Sequence, residues 1–158
     1  MTAPALQKHL LVVEDSDEDA MFLRRAVEQT GVSLPHSIVK DGDQAIAYLS
    51  GAHAFADRLL HPFPSMMLLD LKMPKKSGHD VLEWMKQSSL TGPKVIVYTS
   101  SAEPKDIDQA MRLGAFAYII KPLSLGILAR IVRELAAAMA NPDHDHGLLG
   151  WHVRPLDQ

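Results

Sequence analysis

Five short runs of apolar residues recur along the chain, each followed by residues with the spacing of an amphipathic helix. The clearest runs are Leu10–Val13, Met66–Leu69, Val95–Tyr98 and Phe116–Ile120, and a weaker one lies near 35–40. Apolar runs of this length between helical segments are typical of buried parallel strands. The pattern therefore predicts an α/β fold, a doubly wound five-stranded parallel sheet with helices on both faces.

Capping residues and turn signals set the expected helix ends. Ser16 can cap the first helix, with Asp19 three residues on as a variant capping box, and Gly31 ends it. The pair Asp41-Gly42 indicates a turn after the second strand. The last helix is expected over 124–140, where apolar residues recur at helical spacing.

Polar residues stand where four of the five strands end. They are Glu14 and Asp15 after the first strand, Asp70 after the third, Thr99 after the fourth and Lys121 after the fifth. Ligand sites in open α/β sheets lie beyond the carboxyl ends of the strands, so these side chains are expected to meet in one cleft. A carboxylate such as Asp70 can attack phosphorus to give an acyl phosphate. Clustered carboxylates repel one another without a cation, and oxygen ligands of this kind suit Mg²⁺.

Each of these residues also has a simpler interpretation. Glu14-Asp15 can mark the start of a helix, Thr99 can be a β-branched residue that completes a strand, and Lys121-Pro122 can be an exposed turn. The interpretation as a site depends on all four positions occurring together, in order, each at a strand end.

The segment Asp70–Gly78, taken with Glu14-Asp15, Thr99 and Lys121-Pro122, resembles the receiver domain of two-component response regulators. The resemblance covers about residues 8 to 140. It implies a CheY-like, flavodoxin-like sheet with the strand order 2-1-3-4-5.

The resemblance also implies roles for single residues. Asp70 would be the phosphoacceptor, Thr99 and Lys121 would contact the phosphoryl group, and Pro122 would follow a cis peptide bond. The metal ligands would be Glu14, Asp15, Asp70 and the backbone carbonyl of Lys72. Tyr118 would be the switch aromatic, which rotates inward when phosphorylation draws the hydroxyl residue toward the phosphoryl group. The alternative for Tyr118 is a tyrosine on an edge strand with its hydroxyl in water.

Two residues beside the predicted site depart from what many members of this family carry. Lys72, two residues after Asp70, stands where many relatives have a smaller or amide residue, and Ser101 stands two residues after Thr99. The resemblance implies that both positions flank the path of the water that hydrolyses the acyl phosphate. The sequence therefore predicts no particular lifetime for that intermediate.

Composition narrows the class of protein further. The chain has 158 residues, 47% of them hydrophobic, with a net charge of −3, which gives no reason to expect nucleic acid or an anionic membrane as partner. The absence of cysteine excludes disulfides and thiol catalysis. Neither a signal peptide nor a membrane-spanning stretch is recognised, which predicts a cytoplasmic protein. We expect an N-terminal lead over 1–8, a receiver domain over 9–140 and a C-terminal extension over 141–158.

The C-terminal extension has two contrasting parts. His144 and His146, interleaved with acids, either bind a transition metal or form a solvated polar stretch. The apolar residues that follow, among them Leu148, Leu149 and Trp151, either fold back on the domain or cross to a second protomer as a dimerisation arm. The second possibility predicts a homodimer.

The favoured function is a stand-alone response regulator that signals by protein–protein contacts. Its phosphodonor would be a histidine kinase, with a finer resemblance to receivers that serve bacterial phytochromes, or an intermediary phosphotransfer protein. Two alternatives are a receiver-like interaction module that acts without phosphorylation and a Mg²⁺-dependent aspartyl phosphatase. Phosphatases of the haloacid dehalogenase type have Asp-x-Asp, whereas here the residue two positions after Asp70 is Lys72. Residues after 140 are too few for a DNA-reading domain, and the downstream target is not predicted.

Overall fold

A single parallel sheet forms the centre of the protein. The structure is a computed structural model that describes residues 8–141. The strands are β1 (Leu10–Val13), β2 (His36–Val39), β3 (Met66–Leu69), β4 (Lys94–Thr99) and β5 (Ala117–Ile120). They are all parallel and lie in the order β2-β1-β3-β4-β5, so the predicted fold class and strand order are confirmed.

Helices follow the strands in the alternation that the sequence predicts. They are α1 (Asp17–Thr30), α2 (Gly42–Ser50), α3 (Gly78–Gln87), α4 (Pro104–Arg112) and α5 (Leu125–Ala140), with a short 3₁₀ helix at His53–Phe55. The predicted ends of α1 are confirmed, since Ser16 is the N-cap and Gly31 ends the helix with φ at 68°. A left-handed φ of this kind is favourable at a helix end for glycine, which has no Cβ.

Successive strand residues pack on opposite faces of the sheet. Leu10 and Val12 belong to the core formed with α1 and α5, whereas Leu11 and Val13 belong to the core formed with α2, α3 and α4. Because both faces are covered, the strands need apolar residues at every position. The continuous apolar runs in the sequence reflect this double burial.

Neighbouring strands end at nearly the same level. Val13 at the end of β1 pairs with Leu69 at the end of β3, and Leu69 pairs with Val97 in β4. Thr99 and Ile120, the last residues of β4 and β5, pair with each other. The residues that follow these positions therefore lie along one edge of the sheet.

The turn predicted at Asp41-Gly42 is a bend at Asp41 that leads directly into α2. Asp41 is the N-cap of α2, where its Oδ1 accepts a hydrogen bond from the Gln44 N–H at 2.8 Å, and Gly42 is the first helical residue. Aspartate and glycine favour turns and helix starts for the same reason, since the short carboxylate can accept a local backbone N–H in both.

The two ends of the described chain meet at the edge of the sheet opposite the strand carboxyl ends. The Lys8 ammonium, just before β1, donates to the carbonyl of Ala140 at the end of α5, with Nζ 2.7 Å from the oxygen. The predicted extension after Asn141, including its arm and His144, lies outside the described residues. Within 8–141, none of the helices combines the length and apolar character needed to cross a bilayer.

Candidate functional site

One ammonium group lies at the centre of the strand-end cleft. Lys121 Nζ is 2.6 Å from Glu14 Oε1, 2.8 Å from Asp70 Oδ2 and 2.7 Å from Asp19 Oδ2. The Lys121 side chain is 11% exposed, which contradicts the alternative of an exposed turn. The structure thus brings together side chains that are far apart in the sequence.

Asp19 is a site residue that the sequence interpretation missed. Ser16 Oγ accepts a hydrogen bond from the Asp19 N–H at 3.2 Å, as expected at a helix start, but the Asp19 carboxylate contacts Lys121. The available signal was its place in the first turn of α1, a few residues after Glu14-Asp15 and so close to the same edge of the sheet.

Burial and the neighbouring charges set the pKa values of the acidic groups in the cleft. Burial raises the pKa of Glu14 to about 9, and the neighbouring Asp70 adds to this, while Lys121 opposes it. Burial also acts to raise the pKa of Asp70, but the neighbouring Glu14 and the Lys121 ammonium outweigh it and hold that pKa below its ordinary value. Asp70 is therefore an ionised carboxylate near neutral pH, and the proton retained by the pair resides on Glu14.

Three acidic side chains fit a divalent cation. Ligand oxygens of Glu14, Asp15 and Asp70 all lie within 4.8 Å of one another, with Glu14 and Asp70 buried and Asp15 exposed. Two oxygens on opposite sides of one Mg²⁺ are about 4.2 Å apart, so the cluster needs little adjustment. Among the described residues, Glu14 Oε2 is the buried side-chain oxygen that has no hydrogen-bond partner. A metal ion, or water bound to one, would satisfy it.

The loop after β3 folds closely over Asp70. The Lys72 N–H donates to Asp70 Oδ1 at 3.2 Å. A Cβ at Gly78 would lie 2.3 Å from the Asp70 carbonyl oxygen, so the start of α3 requires glycine for this approach. Ser77 and Asp80 form a capping box that holds the same helix start. The Lys72 carbonyl as a metal ligand stays a prediction.

Thr99 and Tyr118 are both fully buried beside the cleft. The backbone N–H of Lys121 donates to the Thr99 carbonyl oxygen at 2.8 Å, which joins the ends of β4 and β5. The Tyr118 hydroxyl donates to the Ser101 carbonyl oxygen at 2.8 Å, so the alternative of a hydroxyl in water is wrong. Burial raises the pKa of the Tyr118 hydroxyl. The role of Tyr118 as a switch stays a prediction.

The peptide bond between Lys121 and Pro122 is trans, contrary to the expectation taken from the resemblance. None of the peptide bonds in the described part of the chain is cis. Trans is the more stable isomer of an X–Pro bond. Lys121 reaches the acidic cluster with this isomer.

The sequence profile of the response regulator receiver domain family matches residues 10–133. The chain belongs to this family.

Two regulatory proteins are similar to this receiver along most of its length. The receiver is 39% identical over 147 residues to the probable methanogenesis regulatory protein FilR2 of Methanothrix harundinacea, covering 92% of this chain and 86% of that protein. It is also 31% identical over 129 residues to the response regulator Rcp1 of Synechocystis sp., covering 81% and 86% of the two chains.

Solved structures of phytochrome-associated regulators have the same fold. The phosphorylated cyanobacterial phytochrome response regulator RcpA superposes with a TM-score of 0.74 at 30% identity, covering 85% of this receiver and 95% of that chain. The Mn²⁺-bound form of Rcp1 gives 0.70 at 30% identity, covering 82% and 92%. Rcp1 thus binds a divalent metal, and in this receiver Glu14, Asp15 and Asp70 form a group of acidic side chains that could hold one.

Mg²⁺ binding to this receiver is expected to release a proton near neutral pH. Glu14 is protonated in the metal-free cleft because its pKa is raised to about 9, and a cation favours the carboxylate. The Mg²⁺ affinity should therefore increase with pH up to about 9 and level off above it, by at most about tenfold per pH unit. Calorimetric titration in two buffers with different ionisation enthalpies measures the number of protons released.

Glu14→Gln is the matched control for this titration, since the amide fills the same space and stays neutral. The variant should bind Mg²⁺ without proton release and with little dependence on pH between 6 and 9. Equal proton release from both proteins would show that Glu14 is not the group that loses the proton.

Proposed function

We propose that this receiver accepts one phosphoryl group on Asp70, with Mg²⁺, and signals through protein–protein contacts. The observation that carries the proposal is the state of Asp70, a buried but ionised carboxylate bound by Lys121 at one oxygen and by the Lys72 N–H at the other. A nucleophile in this state needs no general base. The acidic cluster beside it supplies the metal ligands.

The transfer is a displacement at phosphorus. An Asp70 oxygen forms the new bond, the bond from phosphorus to the donor breaks, and its electron pair leaves with the donor, which is the imidazole of a phosphohistidine or the acetate of acetyl phosphate. Glu14, Asp15, Asp70 and the Lys72 carbonyl would hold Mg²⁺, whose charge offsets the repulsion between nucleophile and phosphoryl oxygens. Lys121 already lies 2.8 Å from Asp70 Oδ2, where its ammonium can contact a phosphoryl oxygen.

A change near Thr99 links the phosphoryl group to the protein surface. Thr99 would donate its hydroxyl to a phosphoryl oxygen, which leaves space for the Tyr118 ring and favours its buried position. That ring is fully buried in this structure and its hydroxyl donates to the Ser101 carbonyl, so the inward position is linked to the loop before α4. The resulting surface binds a protein target, in a chain that acts as a phosphoacceptor rather than as an enzyme with turnover.

The phosphodonor we propose is a histidine kinase, directly or through a phosphotransfer protein. Similarity to RcpA, which is described as a phytochrome response regulator, supports a bacterial phytochrome as that kinase. The more similar FilR2 is described as a methanogenesis regulator, so similarity alone does not select the input signal. A homodimer and a cytoplasmic location stay predictions from the sequence.

Two other functions fit less well. An aspartyl phosphatase needs a second acid two residues after the nucleophile, and Lys72 occupies that position. An interaction module that acts without phosphorylation needs none of the cleft residues, whereas Asp70, Thr99 and Lys121 are all present and buried or nearly so.

Incubation with acetyl phosphate tests the proposal directly. We expect intact-mass spectrometry to find one added phosphoryl group with Mg²⁺ and none when EDTA removes the metal. The EDTA arm is the control for metal-independent acylation or phosphorylation at the surface. Absence of modification with Mg²⁺, both from acetyl phosphate and from a panel of histidine kinases, would favour the module that acts without phosphorylation.

A further inference from the structure

A buried carboxylate in α4 contacts both residues that flank the phosphoacceptor cleft. Asp106 is 7% exposed, and its Oδ2 accepts a hydrogen bond from the Ser101 hydroxyl. The same oxygen lies 3.7 Å from Lys72 Nζ. Lys72 and Ser101 come two residues after Asp70 and Thr99, so Asp106 connects the two loops that border the cleft.

Asp106 is charged and firmly held in this position. The Ser101 hydroxyl keeps the pKa of the Asp106 carboxyl below its usual range, against the opposing effect of burial, and Lys72 adds to the effect. The backbone carbonyl of Asp106 also lies 3.3 Å from His79 Nε2 in α3. The Ser101 hydroxyl therefore holds the carboxylate, and His79 contacts the backbone of the same residue.

Lys72, by contrast, has a choice of partners. Its side chain is 66% exposed, so its ion pair with Asp106 is weak and its ammonium can rotate on a flexible stem. Its backbone N–H is fixed at Asp70 Oδ1, which keeps the side chain beside the cleft. A phosphoryl group on Asp70 would add a charge of about −2 within reach of the same ammonium.

We propose that Asp106 is a positioning residue that holds the Lys72 ammonium away from Asp70 and thereby shortens the lifetime of the acyl phosphate. The inference rests on the proposed function. Hydrolysis of the acyl phosphate requires a water oxygen to bond to phosphorus while the bond from phosphorus to Asp70 breaks. The electron pair returns to the carboxylate, and the protons of the water pass to inorganic phosphate and solvent.

An ammonium released from Asp106 would contact the phosphoryl oxygens and occupy the approach of that water. Asp106 thus competes with the phosphoryl group for Lys72. The same competition gives the receiver a direct connection from phosphorylation to α4, because Lys72 leaves α4 whenever it contacts the phosphoryl group. This connection is separate from the one through Thr99 and Tyr118.

Asp106→Asn isolates the charge, since the amide oxygen can still accept the Ser101 hydroxyl. The proteins are phosphorylated with acetyl phosphate and Mg²⁺, the donor is removed, and intact mass is followed with time. We expect Asp106→Asn to lengthen the lifetime about two- to fivefold, the range of one partly exposed ion pair. Asp106→Glu, which keeps a carboxylate, should return toward the wild-type lifetime.

Lys72→Ala provides the second half of a double-mutant cycle. If Asp106 acts through Lys72, Asp106→Asn should leave the lifetime unchanged in the Lys72→Ala background. An equal change in both backgrounds would overturn the proposal, because it would show that Asp106 acts through the packing of α4. No change in either background would also overturn it.

A Mg²⁺ titration of the same four proteins keeps this test apart from the proposed function. In Asp106→Asn the released ammonium moves toward the acidic cluster and should weaken Mg²⁺ binding about two- to fivefold, again only when Lys72 is present. If wild type takes no phosphoryl group yet shows this pattern, the proposed function fails and the positioning role stands. Equal Mg²⁺ affinities in all four proteins would refute the positioning role.

Discussion

Asp70→Asn is expected to abolish phosphorylation, so that the intact mass of the variant is the same before and after incubation with acetyl phosphate and Mg²⁺. The amide lacks the negative charge that makes the carboxylate a nucleophile, and it removes one ligand from the metal cluster. The backbone contact should survive, because an amide oxygen can still accept the Lys72 N–H that now donates to Oδ1. The loss is therefore expected in a folded protein.

Asp108→Asn is the matched control for this experiment. It makes the same chemical change in α4, at a carboxylate that is 58% exposed and pairs only loosely with Arg112. The control should be phosphorylated like wild type. A phosphoryl group on the Asp70 variant would place the acceptor elsewhere, and peptide mapping would then identify it.

The second large effect concerns the ammonium at the centre of the cleft. Lys121→Met should lower the free energy of unfolding by about 3 kcal/mol in the absence of Mg²⁺, because the buried Asp70 carboxylate and the acidic side chains beside it are left without their shared cation. Mg²⁺ should restore part of this loss, since it binds the folded acidic cluster and not the unfolded chain. Chemical denaturation with and without Mg²⁺ measures both quantities.

Lys86→Met, at an exposed position in the last turn of α3, controls for the removal of a positive charge. It should change stability by less than about 0.5 kcal/mol, and Mg²⁺ should stabilise it as much as wild type. The interpretation of Lys121 fails if its variant is as stable as the Lys86 variant, or if Mg²⁺ gives it no more stability than it gives wild type.

The sequence was sufficient to predict the sheet and the main cleft residues for a physical reason. Strands buried on both faces must be apolar throughout, so a polar residue such as Asp70 at the end of a run marks the point where the chain leaves the core. Parallel strands bring those points to one edge, and Glu14, Asp70 and Lys121 therefore meet although they are far apart in the chain.

Contacts that depend on helix orientation or on backbone partners could not be predicted from the sequence. Asp19 and Asp106 lie in helices, where an acidic residue is usually solvated, and only the packing of α1 and α4 directs them to Lys121 and Lys72. The partner of the Tyr118 hydroxyl is a backbone carbonyl, and since every residue has one, the residue type does not indicate this contact. The aspartate at position 41 shows the same limit, because a turn and a helix cap use one local hydrogen bond.

The contact between Lys8 and Ala140 has a practical consequence for reporter design. It places both ends of the described domain side by side, on the opposite side of the sheet from Asp70. Fluorescent proteins joined at residues 8 and 141 would stand close together without obstructing access to Asp70. The same proximity makes this domain suitable for circular permutation, with a short linker across these ends and new termini opened in a surface loop.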